Sequence, residues 1–447
     1  MTEAHPSPWR SHDFRRLFAA GALSHLGSNV GYVAIPLLAV TALGAGPGQA
    51  GALAALSTAA FLLIGLPAGA WVDRLPGRRV LVAADAARAV LFASIPVAWW
   101  LGVLSLPQLY AVVLLNGCAT VFFDVGSQSA LPELVGRERL VRANAALVSL
   151  MAGAGIAGRG AGGLLVQFLT APLAILGGAV AYLASATGLT GIGRQRPPAV
   201  APAERRRLRA EIAEGLRHVF GSRELRALTL AAALGNLGAQ MINAMLPVLF
   251  TRELGLPAGA LGAFWAAGGL GVLIGAGVAR RLAVRLGHGR AQVLSGLWFS
   301  PAVLAVALVD DGPWLWVAGA GWLAAMVRTG IGNVLGVTLR QHMTPDPLLG
   351  RMNATVRFLL TGALAVGSAL GGLVGQTAGV RTAVWAGAIC MAGAFLPLLC
   401  SPLRTLRELP AVTAPLAGPP GNGQAEAPRY RHEPGRKDEP GSAGRRR

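Results

Sequence analysis

The feature that most constrains this chain is a series of twelve apolar runs, each long enough to cross the hydrocarbon core of a bilayer. Hydrophobic residues make up 53% of the 447 residues and charged residues only 13%, too little charge to cover a soluble protein of this size. Backbone groups in lipid must be hydrogen-bonded within their own segment, so we predict that the runs are helices. They lie at 17–43, 50–72, 80–104, 107–131, 143–168, 171–193, 227–250, 258–279, 291–309, 313–337, 355–376 and 380–401.

The two halves of the chain repeat each other. Residues 24–44 (SHLGSNVGYVAIPLLAVTALG) align without a gap with 235–255 (GNLGAQMINAMLPVLFTRELG), and 140–164 align with 349–373 at nearly the same offset. Parallel halves of this kind hold their substrate site between them. We therefore predict an all-α membrane protein with two pseudo-symmetric six-helix bundles. Its segments are an N-terminal stretch (1–16), a first bundle (17–193), a linker (194–226), a second bundle (227–401) and a disordered tail (402–447).

The positive charge of the chain is unevenly placed. The net charge is +19, and the arginines gather before the first run, in alternate loops, in the linker and in the tail, whereas the opposite loops carry few cations. This pattern predicts a multi-pass protein of the cell membrane with both termini in the cytoplasm, and it argues against nucleic-acid binding. In the linker, Leu208, Ile212, Leu216 and Val219 share one helical face, which predicts a helix lying on the anionic inner leaflet; a solvated charged linker is the alternative.

The loop after the second run carries a recognisable motif, GAWVDRLPGRR. It resembles the G-x-x-x-D-R-x-G-R-R/K signature of the major facilitator superfamily, and the resemblance extends over all twelve runs. It implies the twelve-helix facilitator fold and a cytoplasmic latch in which Asp73 faces the start of the eleventh span. The latch residues that it implies are Gly69, Asp73, Arg74, Gly77, Arg78 and Arg79.

Further stretches resemble the efflux branch of that superfamily, which contains macrolide and enterobactin-type exporters. They are DFRRLF (13–18), ADAARA (84–89), FFDVGSQSALPELV (122–135) and RANA (142–145). The chain departs from the branch at two places. Arg159 stands where the glycine-rich motif of the fifth span has proline, and Ser28 and Asn29 stand where the first span often has an acid.

Polar residues inside the apolar runs are costly and mark candidate functional sites. His25, Asn29 and Tyr32 share a face of the first span, and the repeat aligns them with Asn236, Gln240 and Asn243 of the seventh. We predict that both stripes line a central cavity; hydrogen bonding that only packs the helices is the alternative. Arg159 and Arg328 lie near mid-membrane, and we expect them to favour an anionic or neutral, hydrogen-bonding substrate over a lipophilic cation.

Acidic residues are few in the runs. Asp85 and Arg88 can pair at i, i+3, and we expect both, with Asp124, to form a charge network with the Asp73 loop; substrate contact is the alternative. Transport driven by protons needs a titratable group that reaches both sides of the membrane in turn. His25, Asp85 and Asp124 are the candidates.

These features predict a secondary active exporter of a small molecule such as a drug, siderophore or secondary metabolite, working by proton antiport as a single chain. An importer or facilitator on the same fold is the first alternative, and a non-transporting receptor or regulator the second. The sequence contains no phosphate-binding G-x-x-x-x-G-K-[ST] motif and no HExxH or GxSxG motif, so we predict no enzymatic activity and no cofactor. Cys118, Cys390 and Cys400 have no metal-binding or disulfide spacing.

Overall fold

A computed structural model describes residues 7–72, 75–193 and 208–406. Within these ranges every regular element is a helix, and 12 helical segments are long and apolar enough to cross a membrane. The predicted all-α fold with twelve spans is therefore confirmed. The helices of the first half are α1 (His12–Thr41), α2 (Pro47–Val72), α3 (Gly77–Trp100), α4 (Leu106–Val135), α5 (Leu140–Leu169) and α6 (Ala171–Thr190).

The second half repeats this order after a linker helix, with three of its spans built from two pieces. Its helices are α7 (Leu208–Gly221, the linker helix), α8 (Arg223–Val248), α9 (Ala258–Leu286), α10 (His288–Phe299), α11 (Pro313–His342), α12 (Leu349–Ala378), α13 (Val380–Gly393) and α14 (Leu396–Leu399). A π-helical turn (Leu249–Glu253) extends α8, and a 3-10 helix (Ser300–Leu308) extends α10. Together α13 and α14 form the twelfth span.

Several helices begin earlier than the hydropathy pattern indicates, because their first turns are polar. Ser11 accepts a hydrogen bond from the backbone N–H of Phe14 at 3.2 Å, so α1 begins at His12 and not at residue 17. Ser222 caps α8 in the same way through Leu225 N–H at 3.2 Å. Such caps satisfy backbone donors that hydropathy does not register.

The spans alternate in direction, so α1 and α8 begin on the same side of the molecule, which we call the terminal side; the opposite side is the distal side. The predicted disordered tail starts too early. Pro402–Arg404 form a 3-10 helix on the terminal side, Leu403 is fully buried, and the backbone N–H of Arg290 donates to the carbonyl of Leu406 at 3.4 Å. The tail beyond residue 406 lies outside the described residues.

Glycines let the first and last spans of each half approach closely. A Cβ built on Gly27 of α1 would lie 3.0 Å from the carbonyl oxygen of Gly178 in α6. In the second half, a Cβ on Gly387 of α13 would lie 2.8 Å from the carbonyl oxygen of Gly238 in α8. The sequence repeat aligns Gly27 with Gly238, so the same backbone contact is made in both bundles. Small residues at such crossings are what packs helices in lipid, where no hydrophobic force drives association.

The two halves meet closely on the distal side. A Cβ on Gly372 of α12 would lie 2.8 Å from the Cα of Gly51 in α2, and a Cβ on Gly163 of α5 would lie 2.8 Å from the Cα of Gly262 in α9. These two crossings are related by the sequence repeat. They leave no room for any larger side chain, so they seal the distal side.

Towards the terminal side the halves diverge. The halves still touch near the middle of α5 and α9. There a Cβ on Gly269 would lie 2.9 Å from the Ile156 side chain. Further along the same two helices, Val141 at the start of α5 is 82% exposed and Val284 near the end of α9 is 79% exposed. The molecule is therefore closed distally and open on its terminal side.

The linker helix α7 docks on the start of α12. Val219 is fully buried against Met352 and Val356, and Glu214 forms an ion pair with Arg351. Leu216, on the same predicted apolar face, is 36% exposed, while the side chains of Leu208 and Ile212 lie outside the described residues. The described part of the apolar face therefore packs partly against α12, through Val219, and is partly exposed, at Leu216. Its contact with a lipid surface stays a prediction.

We expect the docking of α7 to weaken in acid. The His218 ring lies 3.2 Å from the Thr344 hydroxyl, and burial lowers the pKa of His218 below its usual 6.5. The docked state therefore disfavours the protonated ring, so docking is fully stable above about pH 6.5 and is lost progressively as the pH falls below it. Hydrogen exchange of residues 213–221, corrected for intrinsic rates, should speed up below that pH.

A His218→Gln variant keeps a hydrogen-bonding side chain that does not titrate. Its α7 exchange should vary little with pH. An equal acid response in this variant and in the wild type would contradict the assignment to His218.

Candidate functional site

A cavity of about 330 Å³ lies between the two halves. Its walls come from α1, α2, α3 and α4 of the first half and from α8, α9 and α12 of the second. A concave, largely apolar space with a few convergent polar groups is the usual form of a small-molecule site. Because both halves contribute walls, any movement of one against the other reshapes it.

Aromatic rings form much of the cavity wall, and two of them are backed by arginines. Tyr32, Phe61, Phe92 and Trp265 line the space. The Arg159 guanidinium lies 4.7 Å from the ring centre of Tyr32, and that of Arg357 lies 4.3 Å from the ring centre of Phe61. Cation–π contacts of this kind stabilise a cation that is removed from water. These arginines therefore act on the cavity through the rings in front of them.

One face of α4 supplies a polar stripe. Asn116, Thr120 and Asp124 follow one another at i, i+4 and i+8, and all three line the cavity. Among the described residues, Asp124 is the one charged side chain in the cavity lining. The buried side-chain oxygen of Asn116 has no hydrogen-bond partner in the described part of the chain, so it is free to accept from a bound molecule. Asn116 and Thr120 were not among the predicted site residues, although their helical spacing with Asp124 is visible in the sequence.

The structure places the eight predicted cavity residues in two groups. Tyr32, Gln240 and Asn243 line the cavity. The other five lie outside its lining, and they are His25, Asn29, Arg159, Asn236 and Arg328. Of the two polar stripes, only the residues nearest the distal side, Tyr32 on α1 and Gln240 and Asn243 on α8, reach the cavity.

The five residues outside the lining have other contacts. Arg159 donates to the side-chain oxygen of Asn29 at 3.2 Å, and Asn236 donates to the carbonyl of Leu360 in α12 at 3.3 Å. His25 packs edge-on against Phe123, with ring centres 6.2 Å apart. Arg328 is half-buried, and its Nε has no hydrogen-bond partner among the described residues. Bonds between helices thus account for Asn29 and Asn236, as the alternative interpretation expects.

Side chains of the cavity lining join the two halves. Tyr32 of α1 meets Trp265 of α9 edge to face, with ring centres 5.1 Å apart. The indole N–H of Trp265 donates to the side-chain oxygen of Asn243 in α8 at 2.8 Å, which fixes the ring. Contacts therefore run across the interface from Arg159 through Tyr32 and Trp265 to Asn243, and the last three of these residues line the cavity.

Asp85 and Arg88 form a fully buried ion pair at 2.8 Å inside the first bundle. Arg88 also donates to Ser24 (2.8 Å), Ser28 (2.5 Å) and Tyr182 (3.1 Å). Asp85 accepts from Ser24 at 3.0 Å and from Ser185 at 2.5 Å. The cluster ties α1, α3 and α6 together, and it touches the cavity through Ser28, which lies in the lining.

The predicted charge network between this cluster and the Asp73 loop stays a prediction, and the structure describes only part of it. Asp85 and Arg88 satisfy each other within the bundle, and Asp124 lies in the cavity lining. Asp73 and Arg74 lie outside the described residues, so a contact with them stays a prediction. Of the remaining latch residues, Gly69 is in α2, Gly77 begins α3, Arg79 is exposed, and Arg78 donates to the carbonyl of Ile192 at 3.0 Å.

Comparison with known proteins covers nearly the whole chain. A family model described as "transmembrane secretion effector" matches residues 4–419. The enterobactin exporter EntS of Salmonella typhi is 27% identical, over 92% of this chain and 97% of the relative. The enterobactin exporter of Escherichia coli O1:K1 is also 27% identical, over 92% and 95% of the two chains.

Solved structures of transporters share the fold. The nucleoside transporter NupG superimposes with a TM-score of 0.71 at 12% identity, over 87% of this chain and 99% of the other. A bacterial homologue of the iron transporter ferroportin in its inward-facing state gives 0.70 at 18% identity, over 87% and 98%. At these identities the likeness establishes the fold alone.

The buried ion pair gives a stability prediction. Arg88→Met leaves the Asp85 carboxylate buried and unpaired, which should cost about 3–5 kcal/mol of unfolding free energy. Asp85→Asn combined with Arg88→Met removes both charges and should recover most of that loss. Thermal unfolding in detergent measures both variants, with the exposed Arg79→Met as the control. If the double variant is no more stable than Arg88→Met, the two residues are not coupled in this way.

Proposed function

We propose, from the premise that this chain belongs to the transmembrane secretion effector family of the major facilitator superfamily, that it exports a small organic molecule in exchange for protons. Membership and fold make it a multi-pass membrane transporter and not an enzyme. The observation that carries the proposal is the cavity between the halves, which is sealed distally by the glycine crossings and open on the terminal side. Alternating access requires this arrangement in one of its two states.

Orientation follows from charge. The arginine-rich loops all belong to the terminal side, so the positive-inside pattern supports a cytoplasmic location for that side and for both termini. In this orientation the cavity faces the cytoplasm, as an exporter needs when it takes up its cargo. We place the protein in the cell membrane, working as a single chain because both halves are present.

The proposed cargo is a small, neutral or anionic, aromatic molecule with hydrogen-bonding groups. The rings of the lining offer stacking surfaces, and Asn116, Gln240 and Asn243 offer amide groups. Arg159 and Arg357 place positive charge behind two of the rings, which disfavours a cationic cargo on their open faces. Because the similar exporters are named for enterobactin, we take an enterobactin-type siderophore as the candidate cargo to test.

Among the three candidates for proton coupling, the geometry supports Asp124 best. Asp124 is part of the cavity lining, so alternating access gives each side of the membrane contact with it in turn. Asp85 is held by Arg88 in a fully buried pair, and His25 is packed against Phe123 outside the lining. A carboxylate that both the cargo and protons can reach can release a proton when the cargo binds, and can release the cargo when a proton binds.

Uptake into everted vesicles tests this function, with labelled enterobactin, the siderophore named for the similar exporters, as the probe. The wild type should accumulate the probe when a pH gradient is present, whereas Asp124→Asn should fall to the level seen when the gradient is collapsed. His25→Gln should keep the wild-type dependence on the gradient. Accumulation in right-side-out vesicles instead would favour the importer alternative, and gradient-driven accumulation by Asp124→Asn would rule out its coupling role.

A further inference from the structure

We propose that Gln167 and Gln376 form a latch on the distal side, distinct from the predicted latch at the Asp73 loop. Each glutamine holds this side closed by capping the start of a helix in the opposite half. Gln376 of α12 accepts a hydrogen bond from the backbone N–H of Gly48 in α2 at 3.2 Å. Gln167 of α5 accepts from the backbone N–H of Gly259 in α9 at 3.1 Å. This inference rests on the proposed alternating-access transport and names the residues that set its conformational equilibrium.

The two donors are of the same kind. Gly48 is the second residue of α2, and Gly259 is the second residue of α9. The first backbone N–H groups of a helix have no partner within it, and the partial positive charge of the helix start lies there. Each glutamine therefore supplies an acceptor at a place where the opposite half needs one.

The two contacts are equivalent under the repeat that relates the two halves. Continuing the repeat alignment places Gln376 opposite Gln167, and Gly259 opposite Gly48. The bond from α12 to α2 is thus the symmetry mate of the bond from α5 to α9. A chance polar contact at a rim has no reason to recur at the symmetry-related position with the same residues and the same donor position.

The glycine crossings bring the glutamines within reach. Gly163 lies one turn before Gln167 on α5, and Gly372 lies one turn before Gln376 on α12. A Cβ on either glycine would lie 2.8 Å from a Cα of the opposite half, so the helix backbones are nearly in contact there. The glutamines lie on the distal side of these crossings, at the rim where separation of the halves begins.

The two hydrogen bonds of the latch suit a reversible conformational switch, and they contribute little to the stability of the fold. Both glutamine side chains are exposed, so water can replace each bond when the halves separate. The net contribution of such a bond is small, and each glutamine should shift the equilibrium between the distally closed and open states by about 2- to 10-fold. Because each bond joins two halves, opening breaks both.

Two substitutions at the same position should have different effects on this equilibrium. Gln→Leu removes the acceptor and should favour the distally open state. Gln→Glu keeps an acceptor of the same length and adds a negative charge at a helix start, which should hold the closed state at least as well as the wild type. A merely structural role predicts losses for both substitutions.

Accessibility of the cavity from the distal side measures this equilibrium. The full chain carries a cysteine at Ser57, which lines the cavity, with the three native cysteines replaced. A membrane-impermeant maleimide is added to whole cells. Gln167→Leu and Gln376→Leu should each speed labelling by about 2- to 10-fold, the double variant by about the product, and the Glu variants should not exceed the wild type.

Gln49→Leu is the matched control. Gln49 also accepts from a backbone N–H on the distal side, that of Gly46 at 2.8 Å, but within its own half, so labelling should be unchanged. Gly372→Trp wedges the crossing open and shows that the reporter responds. Wild-type labelling rates in both Leu variants, or rates in the Glu variants as high as in the Leu variants, overturn the latch.

The two proposals can fail separately. Labelling requires no cargo, so a shift in the Leu variants supports the latch even if the siderophore probe is not transported. Gradient-driven transport of the probe with no shift in labelling supports the exporter and rejects the latch.

Discussion

Close contact between helix backbones at glycine is the constraint on which this structure depends. In lipid, helices gain nothing from hiding apolar surface from one another, so they associate where their backbones can approach. Gly27 against Gly178 and Gly238 against Gly387 close each bundle on itself. Gly51 against Gly372 and Gly163 against Gly262 join the bundles to each other on the distal side. The cavity is the space that remains where these contacts stop.

The arginines in the membrane show how charge is accommodated around that space. Arg88 is paired with Asp85 and lies 4.2 Å from the Tyr182 ring centre, while Arg159 and Arg357 lie over Tyr32 and Phe61. Each of these three cations is thus stabilised by a π face, a hydrogen bond or an anion, which offsets the loss of water. Asp124 differs because it is part of the cavity lining. The first bundle therefore buries its ion pair inside and places Asp124 at the cavity wall.

The candidate site was predictable in part. Polar stripes on the first and seventh spans, aligned by the repeat, pointed to six residues, of which Tyr32, Gln240 and Asn243 line the cavity in the structure. Asn29 and Asn236 lie on the same stripes but bond to neighbouring helices, because a helical face covers more than one neighbour along its length. Asn116 and Thr120 were not predicted, although they share a helical face with Asp124, because such spacing does not show which neighbour that face meets until the packing is known.

The sequence by itself determined the number of spans, their division into two related halves and the side on which positive charge gathers. The number of spans follows from composition, because segments that cross lipid must be apolar helices. The two halves and the charged side follow from the order of residues along the chain, since the repeat and the arginine-rich loops can be read there directly. Tertiary structure alone decided how far each helix turns about its axis and where the halves touch. The rotation and packing of the helices determine that Arg159 bonds to Asn29 and that Gln167 accepts a hydrogen bond at the start of α9. They depend on contacts between residues far apart in the chain, which no single segment encodes.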